Sequence, residues 1–599
     1  MRSLILLLSL LCLVNCKQET STEKQAQNKG VSNYSISFEN AVHHEAHIEA
    51  TFTGLNPGAT EMRMSRSSPG RYAIHEFAKN VYNVVATNSE GKTLEITRPD
   101  PYSWEVHNHD GTINLSYTLY ANHGDGTYAQ VDETHAHLNM PATFMYVPDL
   151  AQNDIEIKFN VPQGSDWKVA TQLKPLGDHK FYAENLQYFL DSPTEISNHM
   201  LRSFDVDGQT IKFALHHNGT AEEFDTYWEN VKKVVLQQKA VFGELPEYDY
   251  GEYIFIGCYI PNATRDGMEH RNSTILTSTR SLADGGIEGN IGTVSHEFFH
   301  CWNVERIRPK SLEPFNFEKA NMSGELWFAE GFTSYYDDLT ITRAGLVSEE
   351  DYIKGLTGTF NYVWNSPGRQ FFNPIEMSYQ APFVDAARSV DDINRDNTFI
   401  SYYSYGSMLG LALDLSLRNQ GLNLDDFMKL IWKTYGKTFN NYTIEDLNHT
   451  LNEYAGEEFG NQFFNKYIYK SEMPDFKTLF ETVGVKLKQN TDQPAFGLRL
   501  RNQVIISNTK VGSAAHNAGL EKGDKLVRIA SVELNENSDL NKILDKLKPN
   551  ETVRIDFERL GKRHSVKMTL DADTSYSMSS FDELSESMKA NRADWLGAK

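Results

Sequence analysis

The stretch His296-Glu297-Phe298-Phe299-His300 constrains this chain more than any other. Two histidines four apart on a helix lie on one face, roughly 5–6 Å apart at Cβ, so both imidazoles can reach one Zn²⁺. The carboxylate between them can hold and deprotonate a water at the metal. The pattern predicts a helix here and a zinc hydrolase around it.

The pattern needs support from elsewhere in the chain. With 19 histidines in 599 residues, near-matches arise by chance. His43, His44, Glu45 and His47 cluster, but in an alternating run (Ile36, Phe38, Ile48, Ala50, Phe52) that reads as strand, where successive side chains face opposite ways. His75-Glu76-Phe77-Ala78 begins like the motif and then meets Lys79. His135 and His137 share a strand face with no suitable acid nearby in sequence. All three groups read as structural or surface histidines.

The length suggests roughly three to five domains at ~100–200 residues each. A formal net charge of −23 disfavours nucleic acid as a partner, because its backbone would be repelled. At the N-terminus, Arg2 precedes an apolar run from Leu4 to Leu11, then Leu13-Val14-Asn15-Cys16. A basic start and a short apolar stretch read as a secretory signal, too short for a stable transmembrane helix. Its end resembles a bacterial lipobox, with Cys16 as the lipidated residue, although Asn15 replaces the usual small residue. The expectation is export and lipid anchoring in a bacterial cell envelope, periplasm-facing or at the outer membrane. Ordinary secretion is the alternative. Beyond the lipidated Cys16, only Cys258 and Cys301 remain after cleavage, too few for a disulfide framework and no match to a cysteine-based zinc cluster.

The chain reads as a multidomain α+β protein. Residues 1–16 are a signal peptide and 17–30 a polar tether. Residues 31–200 alternate apolar and polar between turns such as Asn56-Pro57-Gly58 and form a β-rich domain. Residues 201–475 form a mostly helical catalytic domain. The helical period starts at Ala221–Phe242, the run Tyr253-Ile254-Phe255-Ile256 reads as strand, and helices are expected at 291–303, 324–345, 349–365, 402–418, 424–435 and 443–455. Residues 480–572 resemble a PDZ domain through Phe496-Gly497-Leu498-Arg499-Leu500 and Ala515-His516-Asn517-Ala518-Gly519-Leu520-Glu521-Lys522-Gly523-Asp524. Such a domain accepts a peptide C-terminus by β-augmentation. Residues 573–599, rich in Ser and Glu, read as a loose polar tail.

A catalytic zinc needs a third protein ligand and one open position. Asn303 and Arg306 stand where a metzincin has Gly and His, which excludes that class. The remaining option is a downstream glutamate on a second helix. Glu330, one acid in an apolar face from Leu326 to Tyr336, is favoured over Glu325.

Glu330-Gly331-Phe332 resembles the E-G-F segment of aminopeptidase N-like enzymes. Further segments are Ser68-Pro69-Gly70-Arg71-Tyr72, Phe242-Gly243-Glu244-Leu245-Pro246, Gly267-Met268-Glu269-His270-Arg271-Asn272-Ser273, Trp302 to Pro309 and Ser401-Tyr402-Tyr403. With these, the chain resembles the glycyl aminopeptidase family. These are gluzincin zinc metallopeptidases with an N-terminal β domain, a thermolysin-like catalytic domain and a C-terminal PDZ domain. The 29 residues between His300 and Glu330 exceed the aminopeptidase N spacing, and the Asn303–Asn321 insertion accounts for them.

The resemblance implies roles. His296, His300 and Glu330 would hold Zn²⁺, with Glu297 as general base. Glu269 sits where aminopeptidase N has its G-x-M-E-N segment and would bind the substrate α-ammonium, although His270 replaces Asn. Tyr403, three before Gly406, would hydrogen-bond the oxyanion. Tyr405 stands where relatives have Lys, and Tyr402 is a neighbouring candidate. The expected activity is removal of small N-terminal residues, Gly or Ala, from peptides. The alternatives are a zinc endopeptidase, or a lipid-anchored PDZ protein that binds peptide or protein C-termini on a catalytic scaffold.

Overall fold

A computed structural model describes residues 30–385, 391 and 393–599. The lipidation candidate Cys16 and the signal and tether segments lie outside the described residues, apart from Gly30. The architecture is an N-terminal β-rich region, a central mostly helical domain and a C-terminal β-rich PDZ-like domain. Among the described residues no helix is long and apolar enough to cross a membrane.

In the N-terminal region, alternation does what period-2 geometry requires. Strand Ser32–Asn40 turns Tyr34, Ile36 and Phe38 inward, and Glu45–Phe52 turns in Ala46, Ile48, Ala50 and Phe52. The two pair antiparallel, Ile36 opposite Ile48, within a seven-stranded sheet. A single turn of 3₁₀ helix, Ala41–His43, interrupts the run expected as continuous strand. A separate four-stranded sheet carries His135–Leu138 beside Thr194–Ser197.

The central domain begins with a five-stranded sheet. Gln209–His217, Glu252–Tyr259 and Ser273–Ser278 run parallel, and Asp266–His270 closes one edge antiparallel. Helices cover parallel sheets, so Tyr253-Ile254-Phe255-Ile256 is a continuous buried run rather than an alternating one. The first helix, Ala221–Phe242, is bounded by a Thr220–Glu223 capping box and by Gly243 at φ 86°. Each such cap stabilises a helix by about 1 kcal/mol.

Two of the expected helices are cut short for a reason that matters to the site. The 291–303 helix ends at Phe299, and 324–345 is two pieces, Leu326–Ala329 and Gly331–Arg343, joined at Glu330. Asn303 sits at the second break. Its amide Nδ2 donates to the carbonyls of Phe328 and Ala329, each at 3.1 Å, which a continuous helix would use itself. A second contact fixes the next layer. A Cβ on Gly331 would lie 2.3 Å from the Gly406 Cα, and one on Gly406 would lie 1.9 Å from the Trp327 carbonyl. Only paired glycines allow helices Gly331–Arg343 and Tyr402–Arg418 to touch backbone to backbone. That contact brings the residue before Gly331 and the residues before Gly406 to one place.

The C-terminal sheet runs Leu500–Arg501, Val504–Ile505, Lys525–Ile529, Thr552–Arg559, Lys562–Thr569 around its own core of Phe496, Leu526, Ile555 and Phe557. Residues 573–599 are not the loose tail that their polar composition suggested. Tyr576–Ser580 pairs with Val485–Gln489, and helix Glu586–Leu596 returns to the central domain. There Trp595 is fully buried, its indole donates to the Tyr335 hydroxyl at 2.9 Å, and Arg343 donates to its carbonyl. A single Trp-Leu pair supplies the apolar face that composition averages away.

Candidate metal centre and active site

Helix Ile291–Phe299 buries Ile291, Val294 and Phe298 against the sheet, with Phe298 packed on Tyr253 and Phe255. Its other face turns His296, Glu297 and then His300 away from that core. The His296 and His300 Nε2 atoms lie 3.5 and 3.4 Å from Glu330 Oε2. A tetrahedral ion with bonds of about 2.0–2.1 Å requires ligand atoms roughly 3.3 Å apart, so both distances suit zinc, and the three atoms lie within 4.8 Å of one another.

The surrounding hydrogen bonds also suit a metal. His296 Nδ1 is 2.8 Å from Asp337 Oδ2, and His300 Nδ1 is 2.7 Å from the Asn303 carbonyl. In the neutral ring that a metal requires, each acceptor fixes the proton on Nδ1 and leaves the Nε2 lone pair facing inward. Glu330 Oε1 accepts from the Tyr72 hydroxyl, whereas Oε2 has no hydrogen-bond partner among the described residues despite full burial. An orphaned buried carboxylate oxygen costs free energy unless something positive meets it. The competitor Glu325 is occupied elsewhere, by the hydroxyls of Ser311 and Ser323.

Glu297 and Glu269 complete a second triangle. One donor atom each from Glu269, Glu297 and His300 lie within 4.8 Å of one another. Glu269 arrives on the edge strand Asp266–His270, which passes so close that a Cβ at Gly267 would meet Glu297 Oε1 at 2.1 Å. Burial pushes the Glu297 carboxyl up to about 7 against the pull of His296 and His300. Burial also raises Glu269. At Glu330 burial is overcome by His300 and His296, which hold the carboxyl well below its usual range. Burial would lower His300, but Glu269 and Glu330 outweigh it and hold the imidazole near 9. Three buried carboxylates around two imidazoles leave the pocket short of positive charge.

Tyr403 is the tyrosine on the site side of its helix. Its ring lies 5.8 Å from that of His296, and it lines a cavity of about 340 Å³ with His296, Glu297 and Asp337. Burial and then Glu330 keep its hydroxyl protonated far above neutral pH. Tyr402 is buried one layer back, stacked on Tyr403, and Tyr405 points into the core.

Sequence reasoning missed three participants. Asp337 stands seven residues after Glu330, two helical turns along the same face, and that spacing was a usable signal. Asn303 was read only for what it excluded. Tyr72 lay in a quoted segment, but nothing local shows that it spans 258 positions to reach Glu330. Cys258 and Cys301 are both free and buried, with no disulfide between them.

This geometry has known counterparts. The Peptidase M61 N-terminal domain profile matches residues 33–198, the M61 glycyl aminopeptidase profile residues 289–409, and the PDZ profile residues 482–570. This chain carries an M61-family, gluzincin-like zinc peptidase domain and a PDZ domain. The crystal structure of an aminopeptidase N family protein from Idiomarina loihiensis is similar across 94% of this chain and 100% of its own, at 25% identity and a TM-score of 0.83. A Staphylococcus aureus (strain N315) protein provisionally named a zinc metalloprotease is 49% identical over 55 residues. That match takes in 9% of this chain and spans only 13% of the relative's length.

Proposed function

We propose that the M61-type domain is a zinc aminopeptidase that removes small N-terminal residues, Gly or Ala, from peptides. His296, His300 and Glu330 are the ligands in this reading. When bound, zinc supplies a Lewis acid that polarises the scissile carbonyl and acidifies water. Glu297 takes the proton from the attacking water on its unpartnered Oε2 and delivers it to the leaving amine. Tyr403 donates its hydroxyl to the oxyanion as the carbonyl becomes tetrahedral. Tyr72 holds Glu330 in place, and Asp337 and the Asn303 carbonyl hold the two imidazoles.

The observation that carries the aminopeptidase reading is Glu269. An endopeptidase has no need of a further buried carboxylate beside its base, whereas an exopeptidase needs one to meet a free α-ammonium. A blocked N-terminus would leave Glu269 buried and unpaired, which penalises such substrates. The test is hydrolysis of Ala- and Gly-anilides with a free or an N-acetylated amine. The expected result is turnover of the free amines alone. Equal rates on both would leave a zinc endopeptidase.

The PDZ-like domain supports a second, compatible role. Its strand-entry loop, with Phe496, Gly497 and Leu498, shares a cavity of about 630 Å³ with Tyr362, Arg395 and Phe399 of the central domain. A peptide C-terminus docked there would be held next to the peptidase body. Lipid anchoring through Cys16, with the protein facing the periplasm or on the outer membrane, completes the proposal.

A further inference from the structure

A second cluster of donors lies far from the first in sequence and is fully enclosed. His137 and Glu195 face each other across strands His135–Leu138 and Thr194–Ser197, in register. Cys258 comes from the central sheet, on Glu252–Tyr259. One ligand atom from each of the three lies within 4.8 Å of the others, and all three side chains are at most 1% exposed. Strand pairing sets beside His137 an acid, Glu195, that stands 58 positions away and that the sequence reading did not find.

The hydrogen bonding leaves a gap that a cation would fill. His137 Nε2 lies 3.1 Å from the Asp125 carbonyl. A carbonyl only accepts, so the proton is on Nε2. In a neutral ring Nδ1 is then a bare lone pair, and it faces Glu195 Oε2 at 3.0 Å. Two acceptors this close require a proton or a metal ion between them. Glu195 Oε1 has no partner among the described residues. The same holds for His135 Nε2 and His216 Nδ1, whose rings stack at 4.9 Å in the same seam. A backbone carbonyl holding one nitrogen while the other looks inward is the arrangement already seen at His300.

We propose that His137, Glu195 and Cys258 bind a second divalent metal ion of zinc type, a structural clasp between the N-terminal β-rich region and the peptidase domain. The donor set of imidazole, carboxylate and thiolate suits zinc, being softer than magnesium or calcium sites allow. A neutral imidazole, one carboxylate and one thiolate also bring a dication to zero net charge, which a fully buried site demands. On binding, the ion displaces the proton shared by His137 Nδ1 and Glu195 Oε2 and the proton of the Cys258 thiol, both of which leave to solvent, and the imidazole nitrogen, carboxylate and sulfur each donate an electron pair to the ion. His135 Nε2 and His216 Nδ1, both unpartnered in the same seam, are the groups from which a fourth donor would have to move in. With all three ligands at most 1% exposed, substrate has no access to the ion, so the site fastens the fold and does not catalyse.

Cobalt(II) tests this, because only a thiolate ligand gives a sulfur-to-cobalt charge-transfer band in the near ultraviolet and the peptidase triangle contains no sulfur. The full chain, stripped by chelator and reloaded, is expected to take up a second cobalt equivalent with that band. Cys258→Ser and Glu195→Gln should each remove the second equivalent and the band while hydrolysis continues. A wild-type protein that binds a single equivalent with no thiolate band overturns the proposal and leaves a histidinium–carboxylate pair. A band that survives Cys258→Ser assigns the thiolate to another cysteine and also overturns it.

Discussion

The two buried histidine–carboxylate clusters use nearly the same donors and differ in what surrounds them. His296 lines a cavity of about 340 Å³ with Glu297 and Tyr403, and His300 and Glu330 lie behind it against His296. His137, Glu195 and Cys258 have no such opening, and a cysteine replaces the second histidine. A catalytic metal site needs an open position and a base beside it, while a structural one is closed. Access and the adjacent acid, rather than the ligands themselves, separate chemistry from fastening.

The contrast breaks first at the base. Glu297→Gln keeps the three metal ligands and should lower kcat by about 10²–10⁴ with zinc content unchanged, measured by metal analysis and steady-state rates. Loss of zinc in this variant would mean that Glu297 is a structural part of the site. Tyr403→Phe removes one oxyanion donor and should lower kcat by about 10²–10³ while KM stays close to that of the wild type. An unchanged kcat would return Tyr403 to a packing role. Asp337→Asn still accepts from His296 but with less charge, and should cost about 10–100-fold in zinc affinity or activity. Competition with a chelator reads that loss directly.

The sequence made the metal triangle legible because its signals are local. The i, i+4 histidines and one acid in an apolar stretch need only helical periodicity. The long-range partners were not legible for a physical reason. His137 meets Glu195 across 58 positions through strand register, and register depends on turns and bulges that composition does not specify. Tyr72 reaches Glu330 only because the N-terminal region packs over the site. Trp595 shows the same limit at the C-terminus, where a polar stretch hides one aromatic that docks beside Tyr335. This also shapes the test of the PDZ-like domain. Truncation at 480 would remove Trp595 from the central core, so Leu498→Asp is the cleaner probe of peptide docking. It should weaken turnover of long peptides and leave short anilides unaffected.

The central claim is that Glu269 turns a zinc hydrolase into an aminopeptidase. The most direct measurement is the ratio of kcat/KM for free-amine over N-acetylated alanyl substrates, in wild type and in Glu269→Gln, at equal zinc content. The account predicts a large ratio in the wild type that collapses in the variant, mainly through a raised KM for the free amine. A ratio that survives Glu269→Gln intact would contradict it and move recognition of the N-terminus to another residue.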